Sequence, residues 1–274
     1  MTRTALIAGL LASTFATVAL AQDVVGRNAA VKGTVEIASL GEEARAAIVK
    51  EDVRLQDEVT SQLDSSLQVL LLDETVFTVG PEARLTIDRF VYDPARATGG
   101  MKASVKKGMF RFVSGKTARG SNTVSIDTPV ASLGVRGTIV EGLVGREAIA
   151  LARQLGLVDP TQRIDPDGAT LFILRGPGPS RRSRDRVGEI EVTTRGGSIV
   201  LDRPGQAVFI ANRDSAPSTP AIMPPTLLAV FDDRLRTEPT GGPGYKPFDV
   251  DIAVNVPRPD VDVPFDPLAD LDWP

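Results

Sequence analysis

Short runs of alternating apolar and polar residues limit the folds open to this chain more than any other feature. The clearest run lies within residues 67–87, where most apolar side chains recur at every second position: Leu67, Val69 and Leu71, then Val76, Phe77 and Val79, then Ala83, Leu85 and Ile87. Because side chains alternate between the two faces of a strand, this pattern predicts β-strands. A turn at Asp73-Glu74 and a break at Gly80-Pro81 divide the run into a hairpin and a third strand.

Similar short strands are predicted along much of the chain. A hairpin turn is expected at Gly196-Gly197, and the strands fall within residues 31–59, 104–113, 123–127, 171–174 and 187–210. Strands that follow one another at intervals of roughly eight to twelve residues are typical of all-β domains. The sequence therefore predicts a mainly β fold, either a β-sandwich or a short β-solenoid.

One helix is expected within this β-rich chain. Residues 146–157 contain good helix formers, and their apolar side chains, Ile149, Leu151, Ala152 and Leu155, would share one face of a three-turn helix. We interpret residues 145–186 as a small helical insertion, and residues 187–210 as closing strands of the same domain. A separate second domain is the alternative interpretation.

The stretch TPVASLGVRGT at residues 128–138 combines β-forming residues with unusual ones. Pro129 cannot donate a hydrogen bond to a sheet, which favours the first residues of a strand or an edge. Gly134 and Gly137 indicate places where the backbone bends or where another segment approaches closely.

Arg136 is the one charged residue within that stretch. An arginine at such a position either reaches water or is buried against a carboxylate or carbonyl groups. We expect Arg136 to be largely buried, with Glu141 or Asp73 as its partner, so that its removal would cost about 3–5 kcal/mol. The functional alternative is that Arg136 binds an anionic ligand.

The pattern TP-x-A-x-x-G-V-R-G-T resembles the most characteristic segment of the FecR domain, a β-rich periplasmic module. Segments upstream agree with it: GTVEI at residues 33–37, VRLQDEV at 53–59 and KGMFRF at 107–112. The likeness covers roughly residues 31–140. It implies a FecR-like fold and a periplasmic compartment, and it implies little about a reaction or a ligand. We assign no catalytic, cofactor-binding or metal-binding residue and interpret these residues as a structural motif: Thr128, Pro129, Gly134, Arg136, Gly137 and Thr138.

Residues 1–21 have the pattern of a secretory signal peptide. Arg3 precedes an apolar segment at residues 5–18, and Ala19-Leu20-Ala21 supplies a small-x-small cleavage site. We expect cleavage after Ala21 and a periplasmic location for the mature protein. The alternative, an uncleaved membrane anchor, is disfavoured because the apolar segment is shorter than the roughly twenty residues that a membrane span needs.

The composition excludes several kinds of chemistry. The chain has no cysteine and no histidine, so it lacks disulfides, the commonest general base at neutral pH and the two commonest zinc ligands. We therefore expect no cofactor and no metal. The acidic residues Asp159, Asp165 and Asp167 do not have the spacing of a calcium loop and are interpreted as solvated turn carboxylates. The net charge of −4 argues against nucleic acid as a partner.

The last part of the chain, residues 214–274, is rich in proline and acidic residues and is expected to be an extended tail that follows the β domain, residues 22–213. From about Thr237 onward we expect this tail to be dispensable for folding. Residues 227–235 are the exception and could form a short helix that docks on the β domain. The terminal sequence PFDPLADLDWP is either a frayed terminus or a partner-binding motif, with apolar anchors at Phe265, Leu268, Leu271 and Trp273.

The arginine-rich segment at residues 181–186 is interpreted as a solvated hairpin tip.

These observations favour a non-enzymatic periplasmic module that binds or scaffolds a protein partner or an envelope ligand. The partner would be a periplasmic or envelope protein, and no transmembrane segment is expected after signal cleavage. The alternative is a hydrolase that acts on envelope polysaccharide with a pair of carboxylates. No local motif singles out such a pair, and the chain has few aromatic residues to line a sugar-binding cleft.

Overall fold

The computed structural model describes residues 23–96, 98–117, 123–177 and 188–237. The predicted signal peptide, the arginine-rich segment at residues 181–186 and the tail beyond residue 237 lie outside these ranges. In the described part the protein is mainly β, as predicted.

Seventeen strands and two helices make up the described residues. In chain order they are β1 (Val24–Lys32), β2 (Val35–Ala38), β3 (Arg45–Ala46), β4 (Asp52–Arg54), β5 (Glu58–Ser61), β6 (Ser66–Leu71), β7 (Val76–Val79), β8 (Arg84–Asp93), β9 (Thr98–Val113), β10 (Thr123–Asp127), β11 (Ser132–Arg136), β12 (Thr138–Val144), α1 (Arg146–Gln154), β13 (Thr170–Pro177), β14 (Glu189–Thr194), β15 (Gly197–Leu201), β16 (Gln206–Ile210), β17 (Ala221–Ile222) and α2 (Pro225–Arg234).

The strands form two sheets that share β9. The first, which we call the helix-covered sheet, has the order β4-β1-β6-β7-β9-β12-β13-β16-β17. The second, which we call the bare sheet, has the order β3-β2-β5-β8-β9-β10-β11-β14-β15. Neighbouring strands are antiparallel except for β9 and β10, which are parallel.

Strand β9 is long enough to belong to both sheets. Its first part, up to Lys107, pairs with β8 and β10 in the bare sheet, and its last part, from Gly108, pairs with β12 and β7 in the helix-covered sheet. Gly108 lies at the crossing point with a φ of 81°, a conformation that favours glycine. The crossing therefore depends on one residue without a side chain.

The main core lies between the two sheets. Alternate side chains from both sheets pack into one buried cluster, which includes Ile37 and Leu133 of the bare sheet and Leu67 of the helix-covered sheet. Phenylalanine rings fill the inner face of the helix-covered sheet, with centroid distances of 5.5 Å for Phe77–Phe112, 5.9 Å for Phe77–Phe110 and 6.5 Å for Phe110–Phe172. Two facing layers with a shared core form a sandwich.

A second core lies on the outer face of the helix-covered sheet. There α1 contributes Ala148, Ile149 and Ala152, and α2 contributes Phe231, to a cluster with the outward-facing side chains of β12, β13 and β16. The helix predicted at residues 146–157 is confirmed as α1, which ends at Gln154, and the helix predicted at residues 227–235 is confirmed as α2.

The hairpin and third strand predicted within residues 67–87 are confirmed as β6, β7 and β8. The predicted insertion at residues 145–186 needs correction, because β13 is paired between β12 and β16 inside the helix-covered sheet. The tail boundary also moves: β17 pairs with β16, and α2 packs on the sheet, so the folded domain continues past residue 213.

None of the helices in the described ranges combines the length and apolar character of a membrane span.

Candidate interaction site

The predicted motif at residues 128–138 takes the chain from the bare sheet to the helix-covered sheet. Thr128 and Pro129 lie in the turn between β10 and β11, where the Thr128 N–H donates to the Ala131 carbonyl at 2.8 Å. The Pro129 carbonyl accepts a hydrogen bond from Arg213 Nη2 at 3.1 Å. Pro129 thus lies just before a strand. The backbone N–H group that proline lacks is not needed there for a hydrogen bond between strands.

Gly137 and Thr138 form the connection between the two sheets. Gly137 has a φ of 59°, and the chain leaves β11 there and enters β12. The buried Thr138 donates its N–H to Ser114 Oγ at 2.9 Å, and Ser114 Oγ donates to the Thr138 carbonyl at 2.7 Å. Thr138 Oγ1 donates to the Gly176 carbonyl. These bonds tie the start of β12 to its neighbours β9 and β13.

Gly134 does not mark a bend or a close approach, so that prediction is wrong for this residue. It lies in the middle of β11, and the nearest atom to a Cβ placed there would be the Glu191 carbonyl oxygen at 3.8 Å, an ordinary contact. The structure offers no physical reason for glycine at this position.

Arg136 is exposed, and the prediction that it is buried against Glu141 or Asp73 is wrong. Its side chain is 65% exposed and forms an ion pair with Glu189, which lies directly opposite it on β14. Strand β11 alternates, so Leu133 and Val135 face the core while Arg136 points to water from the outer face of the bare sheet. The pair is an ordinary cross-strand charge pair.

Replacing Arg136 with alanine is therefore expected to lower the free energy of unfolding by about 1 kcal/mol or less, since exposed ion pairs contribute little. Chemical denaturation of the variant and the unaltered protein measures this. A loss above about 3 kcal/mol would instead show a structural role that its exposure does not explain.

The buried carboxylate near the motif, Glu141, belongs to a different cluster, which we call the α2 clamp: Arg111, Glu141, Arg175 and Asp232. Arg111 Nε donates to Glu141 Oε1 at 2.7 Å, and Arg175 Nε lies 3.6 Å from Glu141 Oε2. Both guanidinium groups also reach up to α2, where Arg111 Nη2 donates to Asp232 Oδ1 at 2.5 Å and Arg175 Nη2 donates to Asp232 Oδ2 at 2.7 Å.

The sheet brings these residues together. Arg111 on β9 lies directly opposite Glu141 on β12, and Arg175 lies on the next strand, β13. All three point to the outer face of the helix-covered sheet, where α2 covers them. Glu141 is fully buried and the Arg175 side chain is 6% exposed, whereas Asp232 is one-third exposed.

Apolar contacts hold α2 beside the clamp. Phe231 and Leu235, one helical turn apart, pack with Met109, Leu143 and Phe209 of the sheet below. An ion pair outside the α2 clamp joins α2 to α1. Arg234 Nη1 of α2 donates to Glu147 Oε2 of α1 at 2.8 Å. The helix is therefore fixed by charge and by packing together.

Burial raises the pKa of Glu141, while the positive charges of Arg111 and Arg175 and the hydrogen bond from Arg111 oppose the shift. The neighbouring Asp232 adds to the rise in pKa. A raised pKa in the folded state means that folding favours the protonated carboxyl. The contribution of Glu141 to stability is therefore fully present below the unfolded-state pKa and is lost as the pH rises through the folded-state pKa.

A Glu141→Gln variant tests this linkage, because glutamine keeps the shape and cannot ionise. Near pH 4 we expect the two proteins to differ least in the free energy of unfolding. As the pH rises towards 8, the unaltered protein should lose stability relative to the variant, as measured by urea denaturation at each pH. The opposite trend would be a fall in the free energy of unfolding of the variant, relative to the unaltered protein, as the pH rises. It would show that the ion pairs of Glu141 outweigh the cost of burying its charge.

An open cleft lies beside the start of α1. Its charged lining is mixed, with Arg84, Lys106, Lys107 and Arg146 against Glu82, Glu147 and Asp167. Several of these charges already have partners, since Lys106 and Arg84 bind Glu58. The cleft has no dominant sign of charge, so it selects neither anions nor cations.

Within the described ranges, no group of three or more acidic residues is arranged to hold a metal ion. Asp159 caps the turn at Thr161 with hydrogen bonds of 2.7 and 2.8 Å, and these bonds lower its pKa. Asp165 accepts from the N–H groups of Asp167 and Gly168 at 3.1 and 3.0 Å. Asp159 and Asp165 thus act as turn carboxylates, as predicted.

Sequence patterns alone do not reveal the α2 clamp. Arg111 lies in the segment KGMFRF, whose pattern predicts only a strand, and Arg175 ends the run LFILR. A charge at an outward position of a strand that is otherwise apolar on both faces is the one available signal. The partner on α2, more than fifty residues farther along the chain, has no local signal at all.

Comparison with known proteins supports the resemblance of the motif to the FecR domain. The profile of the family described as "FecR protein" matches residues 57–152, which include the motif at 128–138. No curated protein matches the chain.

Two crystal structures of a candidate anti-sigma factor from Parabacteroides distasonis ATCC 8503 match part of the chain. One is 13% identical with a TM-score of 0.42, and the other is 12% identical with a TM-score of 0.40. Each likeness covers 64% of this chain and 63% of the other, so this chain spans less than two thirds of that protein's length. By this match, residues 57–152 of this β-rich chain are similar to the FecR domain.

Proposed function

We propose that the protein is an exported, non-enzymatic binding module that acts in the periplasm through a protein partner. The FecR match, the signal-peptide pattern at residues 1–21 and the absence of histidine and cysteine support this proposal. The partner is a periplasmic or envelope protein, because an exported chain meets partners of that compartment.

The observation that carries the proposal is the way α2 is held. The α2 clamp and the packing of Phe231 fix the C-terminal end of the folded domain on the helix-covered sheet. Thr237 also hydrogen-bonds Ser66 of β6, with 3.0 Å between their hydroxyl oxygens. The described part of the chain thus ends at a fixed point on the domain, Thr237. A fixed end suits a module that presents its following segment to a partner.

The terminal sequence PFDPLADLDWP is the segment proposed to bind. Its apolar residues stand among acidic and proline residues, and a few large apolar anchors supply most of the affinity in many interfaces. The anchors are Phe265, Leu268, Leu271 and Trp273.

A crosslinking pull-down from the periplasm tests the proposal with three chains: the full protein, a chain ending at Thr237, and a full-length variant with the four anchors replaced by alanine. We expect one periplasmic or envelope protein to be crosslinked by the full chain and lost with both altered chains. Equal recovery with all three would refute the role of the tail. Failure of the full chain to capture any protein beyond a control with an unrelated exported domain would refute the binding function.

The hydrolase alternative gains no support from the described residues. The carboxyl group whose pKa is raised by burial, Glu141, is covered by α2 and has no exposed surface. A polysaccharide could not reach it, although a general acid must contact its substrate.

A further inference from the structure

Strand β15 leaves one edge of the bare sheet open. With five residues it is the longest of the four terminal strands, since β4 has three residues and β3 and β17 have two each. One side of β15 pairs with β14 from Gly197 to Leu201, and within the described ranges no strand pairs with its other side. Natural edge strands are usually blunted by lysine, proline or a bulge. The sequence of β15, GSIVL, has none of these.

The hairpin register shows which backbone groups of β15 point away from β14. The two strands are joined by the two-residue turn Arg195-Gly196, and the residues that flank such a turn exchange hydrogen bonds. Because hydrogen-bonded and non-hydrogen-bonded pairs alternate along an antiparallel ladder, Ile199 also bonds to β14. Ser198 and Val200 therefore direct their N–H and C=O groups to the open edge, where nothing within the described ranges is hydrogen-bonded to them.

Apolar side chains are exposed along the same edge. Val200 on the outer face of the bare sheet is 49% exposed. Ile199 on the inner face packs against the main core but is only partly covered. The edge thus combines open backbone groups with apolar surface, and both favour an interface.

The edge of the helix-covered sheet lies beside β15. Residues 202–205 join β15 directly to β16, and the Asp202 N–H donates to Gln206 Oε1 at 3.0 Å. Gln206 is paired with Ile222 of β17, whose side chain is 63% exposed. The exposed apolar side chains at this end of the sandwich therefore come from both sheets.

We propose that two copies of the chain pair at this edge, β15 against β15 in antiparallel direction, so that the bare sheet continues from one copy into the other. A twofold axis perpendicular to the sheet then passes beside Ile199, which faces its own counterpart. Ser198 of each copy lies opposite Val200 of the other. Every open N–H and C=O group of these two residues then finds a partner across the axis.

Groups that are already bonded exclude the neighbouring registers. A shift of two residues in one direction would pair Ser198 with Asp202, whose N–H is used within the chain. The opposite shift would pair Val200 with Gly196, whose N–H is also used within the chain. A shift of one residue would turn the core face of one copy to the water face of the other. The register centred on Ile199 breaks no existing hydrogen bond.

The match of the edge to itself selects a second copy as the occupant. The two Ile199 side chains would cover each other and close the core at this end of both sandwiches. Arg195 of one copy would come near Arg203 of the other, but each arginine is already paired with an aspartate, Asp214 and Asp202, so no net charge gathers there. One short strand from each copy buries little surface, so the dimer should be reversible.

A single added cysteine tests the register, because the chain has no cysteine of its own. Opposite residues of a non-hydrogen-bonded pair have Cα atoms about 4.5 Å apart, a distance that a disulfide spans. We expect mild oxidation to convert Ile199→Cys into a disulfide-linked dimer. The matched control, Val200→Cys, should form at least about tenfold less dimer, because its two cysteines would lie on a diagonal of roughly 7–8 Å.

The control is stringent, since Val200 is the more exposed residue and random collisions would favour its crosslinking. Equal crosslinking of the two variants, or none with Ile199→Cys, would overturn the proposal. Neither readout needs another protein, so failure here is distinct from failure of the proposed binding function.

Sedimentation equilibrium tests the dimer without a crosslink. The average mass of the unaltered protein should rise from one chain towards two as the concentration increases. Ser198→Pro removes an N–H that points away from β14 and should raise the dissociation constant of the dimer at least about tenfold. Ser198→Ala keeps that N–H and should leave the constant unchanged. A protein that stays monomeric up to about 1 mM, or equal constants for the two variants, would refute the pairing.

Discussion

Replacing Arg175 with methionine is expected to lower the free energy of unfolding by about 3–5 kcal/mol. Methionine has no charge and reaches about as far as Nε of arginine, so the change removes the guanidinium and keeps the packing of the apolar stem. The buried Glu141 would then keep only Arg111 as a partner, and Asp232 of α2 would lose two hydrogen bonds of 2.7 and 2.8 Å. Small domains have a total stability of roughly 5–15 kcal/mol, so the loss is large. Urea denaturation measures it.

A double-mutant cycle shows whether the effect comes from charge. Adding Glu141→Gln to Arg175→Met removes one negative charge from the α2 clamp and restores its neutrality, so part of the lost stability should return. Arg136→Ala is the matched control, an arginine in an exposed ion pair, and it should cost about 1 kcal/mol or less. If Arg175→Met costs no more than Arg136→Ala, the clamp does not hold α2.

Replacing Gly108 with alanine is expected to destabilise the protein by about 2–5 kcal/mol. Two effects combine at this residue. Its φ of 81° is strained for any residue with a side chain, and a Cβ atom there would lie 2.3 Å from the backbone Cα of Ala83. Because backbone rather than a flexible side chain stands in the way, β9 would have to shift where it crosses between the sheets.

Gly134→Ala is the matched control for Gly108→Ala. Gly134 lies within β11, and a Cβ atom there would be 3.8 Å from its nearest neighbour, so alanine fits without strain. Alanine there should be neutral or stabilise the protein by up to about 1 kcal/mol, since it restricts the unfolded chain. Thermal or urea denaturation of the two variants side by side measures both. Equal losses would show that the crossing at Gly108 is not under steric control.

Local patterns in the sequence predicted much of the fold. The alternation at residues 67–87, the helix at residues 146–157 and the motif at residues 128–138 each depend on neighbouring residues, whose spacing decides which side chains share a face. For the same reason the FecR resemblance could be found without coordinates. Burial at the level of single residues was less predictable, as Arg136 shows.

The prediction for Arg136 failed because a charge in an apolar run has two possible directions. In β11 it points outward, and its partner Glu189 lies on a strand that begins more than fifty residues later. The α2 clamp was missed for a related reason: Arg111, Glu141, Arg175 and Asp232 come from three strands and one helix, and only strand register brings them together.

By itself, then, the sequence determined that the chain is mainly β and where most strands and both helices lie, and it revealed the similarity to the FecR domain. These properties follow from short-range periodicity and a local motif. Only the tertiary structure decided which strand pairs with which, that β9 crosses between the sheets at Gly108, that β13 is a central strand, and that α2 is bound through buried charges. Those features depend on contacts between residues far apart in the chain, and the free energy of such contacts comes from burial and charge pairing that no short segment contains.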